Sequence, residues 1–98
     1  MDPNYDPRDE HEMRPQVGFR LRVGAYDSRQ LFSEFGSLGL VYYDLMLFDP
    51  ADGEVPGVVR FHWDAREGIV DAAARWFEGL PYVVKVFPSY GGPIEGAR

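Results

Sequence analysis

Apolar and polar residues alternate along two stretches of this chain, and the alternation predicts strands. In residues 16–26 (QVGFRLRVGAY), Val17, Phe19, Leu21 and Val23 share one phase, with Arg20 and Arg22 in the other. In residues 57–63 (GVVRFHW), Val59, Phe61 and Trp63 stand in phase against Arg60 and His62. Successive side chains on a strand point to opposite faces, so each phase marks one face of a sheet. Residues 40–48 (LVYYDLMLF) and 82–87 (YVVKVF) read as two further strands.

Between the strands the period becomes helical. Asp27 can cap a first helix, with Gln30 completing a capping-box-like pair and Leu31, Phe32, Phe35 and Leu38 on one stripe. Gly36 and Gly39 end it. Asp64 and Glu67 predict the N-cap and third position of a second helix, in which Ile69, Ala73, Trp76, Phe77 and Leu80 recur at helical spacing. Gly79 and Pro81 stop it. The segment DPADGEVPG before the third strand carries turn chemistry.

The resulting order, βαββαβ, predicts an α+β ferredoxin-like plait over residues 16–88. In it a four-stranded antiparallel sheet carries both helices on one face, with the first and third strands at its centre. Residues 1–15, with three prolines and five acidic residues, read as a flexible acidic tail, and the glycine-rich residues 89–98 as a flexible C-terminal one. The helix-facing side takes the apolar phases. The open side takes Arg20, Arg22, Arg60 and His62, flanked by Tyr42 and Asp44 on one edge. On the other edge stand Lys85 and Phe87 or their neighbours, because a one-residue bulge would exchange them.

Composition then limits the function. The 98 residues carry a net charge of −6, with 16 acidic residues against 10 basic, which argues against general binding to nucleic-acid phosphates. An acidic inhibitor that mimics nucleic acid stays compatible with that charge. There is no cysteine, so disulfides, thiolate catalysis and cysteine-ligated metals are excluded. With no secretory signal and no apolar run of membrane-spanning length, the expectation is a soluble cytoplasmic protein that contacts no membrane.

Three arginines and a histidine on one face of an acidic chain suggest either an anionic ligand or an interface. Arginine forks match carboxylates and phosphates, and an open sheet of this kind stacks readily on a second copy. His62 is the one candidate for general acid–base catalysis, because His11 falls in the tail. Asp64 and Glu67 are accounted for by helix capping, and DEHE at 9–12 by solvated charge. The aromatic residues at core spacing point inward, so the stacking platform of RNA-binding plaits is missing. No cofactor and no metal are expected.

Two short stretches resemble known families. Val17-Gly18-Phe19-Arg20 resembles the short motif of acylphosphatases, which share the βαββαβ order. That family also requires an asparagine on the second strand, which this chain lacks, so the resemblance is not carried into function. Gly79-Leu80-Pro81 leading into a strand that ends at Pro88 is similar to the close of small dimeric α+β-barrel proteins, among them isomerases and monooxygenase-like enzymes. That similarity implies a dimer with stacked sheets.

The reading that follows is a non-catalytic binding or regulatory domain, homodimeric through the open sheet face and contacting a protein or a small anionic partner. Its contact residues are Arg20, Arg22, Arg60, His62, Tyr42, Asp44 and Lys85. A dimeric α+β-barrel enzyme acting on an anionic substrate, with His62 as acid or base, and the acidic inhibitor are the alternatives.

Overall fold

The computed structural model describes residues 12–93. Its elements are β1 (Glu12–Met13), β2 (Gln16–Arg22), α1 (Ser28–Gly36), β3 (Asp44–Leu47), β4 (Glu54–Arg60), α2 (Glu67–Glu78), β5 (Val83–Ser89) and β6 (Gly92–Pro93). The main sheet has the order β3-β4-β2-β5 with every neighbouring pair antiparallel. This is an α+β layout whose order is that of a ferredoxin-like plait, with the first and third long strands, β2 and β4, at the centre.

The sheet forms because β2 and β4 bring matching apolar phases together. Val17 lies opposite Val59, and Phe19 opposite Gly57. Helix residues then cover that phase: Leu31 and Phe35 from α1, and Val70, Ala73, Ala74 and Phe77 from α2, are all buried with Val17, Phe19, Leu21, Val55, Val59 and Phe61. Phe77 stands at the middle of this core. Its ring stacks on Phe19 at 4.2 Å and on Phe35 at 5.5 Å, and Trp76 meets it edge-on at 5.0 Å.

Several boundaries differ from the sequence expectation, each for a tertiary reason. The first strand ends at Arg22, and Gly24 turns the chain at a φ of 76°, which leaves Val23 47% exposed rather than in the core. The third strand runs from Glu54, so Pro56 and Gly57 lie within it and Trp63 lies past its end. Proline is tolerated in this central strand because of where its missing N–H would point. The Pro56 carbonyl accepts from Phe48 N–H at 2.8 Å, and the N and C=O of one residue in an antiparallel strand face the same neighbour. That neighbour is the edge strand β3, whose pairing closes here with Phe48, so no bond to the central strand β2 is lost.

Asp27 caps α1 as expected, accepting from the Arg29 and Gln30 amides at 2.9 and 3.2 Å. The Gln30 side chain turns away to Glu34, so the box is not reciprocal. The expected four-residue stripe of α1 is half buried, since Phe32 and Leu38 are each 40% exposed. Asp64 does not cap α2. The N-cap is Arg66, with no side-chain cap, because His62 to Ala65 form a turn closed by Ala65 N–H to the His62 carbonyl. Trp76 is half-buried at the core's margin, where it meets Phe35 edge-on. On β5, Lys85 pairs with Arg20 while Val83 pairs with Leu21, so Val84 is a bulge.

Beyond the expected domain limits, β1 and β6 pair antiparallel, Met13 against Gly92, and Pro15 and Arg14 are buried. Pro15 also accepts a hydrogen bond from Phe61 N–H at 2.8 Å, which continues the contact between β2 and β4. The rest of the expected tails, residues 1–11 and 94–98 with His11 and most of DEHE, lies outside the described residues. Among the described residues no helix is long and apolar enough to cross a membrane.

Tyr90 ties the segment after β5 back to α2 by donating its hydroxyl hydrogen to Asp71. That bond first, then desolvation and the charges of Asp71 and Glu67, raises the Tyr90 pKa above 10.0. A raised folded-state pKa stabilises the fold below the unfolded value and loses that effect as pH rises through the folded value. In Asp71→Asn, ultraviolet titration should therefore show the Tyr90 ionisation falling back toward 10.0. An unchanged tyrosinate titration would mean that the bond does not form in solution.

Candidate functional site

The helices cover one face of the sheet, and strand register lays out the other in rows. The first row is Asp44, Arg60, Gln16 and Ser89, read across β3, β4, β2 and β5. The second is Met46, Val58, Gly18 and Phe87. Pro56, Arg20 and Lys85 form the third, and Glu54 and Arg22 the fourth. The open face is thus not uniformly basic. Its second row is an apolar belt, continued by Pro56 and by Phe48, which stands two residues past Met46 and is 50% exposed.

The charges lie on both sides of this belt. At one end the Arg60 guanidinium donates to both carboxylate oxygens of Asp44, the Nε contact being 2.8 Å, and the two side chains are part-buried. This is the bidentate geometry that makes an arginine–carboxylate pair strong. At the other end Arg20 Nη1 lies 3.8 Å from Glu54 Oε1. Arg20 and Lys85 also stand 5.8 and 5.0 Å from the centre of the Phe87 ring, whose face attracts both cations. Lys85 and Phe87, not their neighbours, therefore share this face with Arg20.

Four of the sequence-predicted residues form two groups, Arg20 with Lys85 and Arg60 with Asp44. Arg22 and Arg60 are not close. Arg60 lies opposite Gln16 and Arg22 opposite Glu54, six positions apart along β2, which at the rise of a strand is about 20 Å. His62 has left the sheet, two residues past β4, where its ring meets Tyr43 edge-on at 6.1 Å. There it borders a shallow depression of about 200 Å³ with Val41, Asp64, Ala65, Arg66 and Ile69. Tyr42 precedes β3 and turns to the helix side, edge-on to Phe35 at 5.1 Å. Arg22, Arg60 and His62, expected on one face, are thus not brought together.

Sequence reasoning missed two features. Arg14, placed in the tail, is only 6% exposed, its guanidinium 4.2 Å from the centre of the Tyr43 ring and 5.1 Å from that of Trp63. Arg60 stands over Tyr43 as well, at 5.1 Å. These rings come from two distant loops, and no local periodicity announces such a meeting. The apolar belt did have a signal, since Val58 is in phase with Arg60 on a strand that begins at Glu54. Among the described residues no group of three or more His, Asp or Glu could hold a metal ion.

The fold and face define an α+β plait whose sheet carries an apolar belt between charged rows, on the side away from both described helices. Compared with known protein families, with curated proteins and with solved structures, the chain finds no match.

Proposed function

We propose that this protein is a non-catalytic binding domain that self-associates through the open face of its sheet. The observation that carries the reading is the belt of Met46, Val58 and Phe87, extended by Pro56 and Phe48 and bordered by charged rows at both ends. An apolar centre within a charged rim is the anatomy of a protein interface, because the centre contributes by leaving water and the rim can stay hydrated. Both described helices lie on the other side of the sheet, so a second copy is free to occupy this one.

The ligand and enzyme readings draw less support from the same geometry. The Arg60 fork is engaged by Asp44, the remaining basic groups are spread along the strands, and His62 is off the face. The test is the mass in solution. Light scattering or sedimentation at micromolar concentration should give twice the mass of the chain. In Met46→Glu/Val58→Glu the mass should fall to that of one chain, with an unchanged far-ultraviolet circular dichroism spectrum. A wild-type protein of single-chain mass at every concentration would overturn the reading.

A further inference from the structure

The two halves of the open face differ in charge, and the difference selects one way for two copies to meet. Both carboxylates of the face, Asp44 and Glu54, are on β3 and β4, together with Arg60. The half formed by β2 and β5 carries Arg20, Arg22 and Lys85 and no acid. We infer that the self-association proposed above uses a two-fold axis running parallel to the strands between β4 and β2, so that the acidic half of each copy lies on the basic half of the other. The inference rests on that self-association reading and specifies its register.

Such an axis exchanges β3 with β5 and β4 with β2 while keeping each row level. Met46 of one copy then meets Phe87 of the other. Val58 faces Gly18, beside which the Phe87 ring of the same chain stands, its Cδ2 3.7 Å from the place of a Cβ. Glu54 faces Arg22, and Pro56 faces Arg20. Stacked sheets keep their strand directions within about 30°, so rows stay matched near the axis. The other in-plane axis, perpendicular to the strands, lays each half on its own counterpart. It sets the half bearing Arg20, Arg22 and Lys85 on the same half of the other copy, with Glu54, 3.8 Å from Arg20, as the neighbouring acid, and like charges juxtaposed across an interface are costly. Charge complementarity therefore favours the strand-parallel axis.

Charge reversal tests the register directly. Glu54→Arg and Arg22→Glu, each alone, should weaken dimerisation by tenfold or more, because each sets like charges against one another twice across the axis. An equimolar mixture of the two variants should recover near wild-type affinity. In the mixed dimer both cross-copy contacts become attractive, and native mass spectrometry should show it as the dominant species. A measurement on the unmodified sequence serves as the second arm. Met46 and Phe87 lie on opposite edge strands, about 15 Å apart within one chain. An isotope-filtered nuclear Overhauser contact between them, in a sample mixing labelled and unlabelled chains, should appear only between copies.

A dimeric wild type with no recovery in the mixture and no Met46–Phe87 contact would overturn the register while leaving self-association standing. A monomeric wild type would overturn both.

Discussion

Replacing Phe77 by alanine is expected to cost about 3–5 kcal/mol, the range for truncating a fully buried aromatic side chain. The ring has no exposed surface and touches three others, Phe19, Phe35 and Trp76. Those rings come from β2, α1 and α2, so no single element can move to fill the space left behind. Domains of this size have total stabilities of about 5–15 kcal/mol, so the variant should sit close to unfolding at room temperature. Urea denaturation followed by tryptophan fluorescence measures it. Trp76→Ala should cost less, because that ring lies half-buried at the margin. If the two variants melted alike, the core would be centred closer to Trp76 than the structure places it.

The second large effect is expected at Gly57. A Cβ there would lie 2.4 and 2.5 Å from two carbons of the Phe19 ring and 2.9 Å from Leu47 Cδ2. Its φ is not in the left-handed region, so the requirement for glycine is one of space alone. Phe19 cannot swing aside freely, being stacked on Phe77 at 4.2 Å. Overpacking of this kind typically costs about 1–3 kcal/mol, and Gly57→Val should lie at the upper end because two further methyl groups follow the Cβ. Gly68→Ala is the control. That position is in α2 with nothing within 4 Å of its would-be Cβ, and alanine in a helix is better than glycine by up to about 1 kcal/mol. Thermal melting should move down in the first variant and level or up in the second. Equal shifts would mean that the Phe19 ring has room to yield.

Gly57 also shows where sequence reading stopped short. Pro56-Gly57 has the composition of the end of a turn, and the strand expected over 57–63 lies three residues past the observed one, Glu54–Arg60. Within the fold the pair is strand: the proline nitrogen faces the last residue of the β3 pairing and not β2, and the glycine makes room for an aromatic ring from β2. Both reasons involve residues far away in the chain. Arg14 illustrates the same limit. Its burial depends on Tyr43 and Trp63 converging beside the N-terminal segment, and neither loop carries a pattern that foretells it.

What the amino-acid order determined by itself was the facing and the periodicity that near neighbours set. The two-residue period of 16–26 and 57–63 assigned Phe19, Val59 and Phe61 to the core and Arg20, Arg22 and Arg60 to the other face, because facing alternates within a single strand, whereas Val23 and Trp63 in the same phase lie past the strand ends. The Asp27 cap and the helical recurrence at Ile69, Ala73, Trp76 and Phe77 are local in the same sense. From these the α+β layout followed. What only the tertiary structure decided was distance along the face. Antiparallel pairing sets Arg60 against Gln16 and Arg22 against Glu54, so residues that share a side stand at opposite ends of it. Membership of a face is a property of one strand. Proximity on it is set by the register of two, which depends on how the Phe19 ring and the helices above it fill the core.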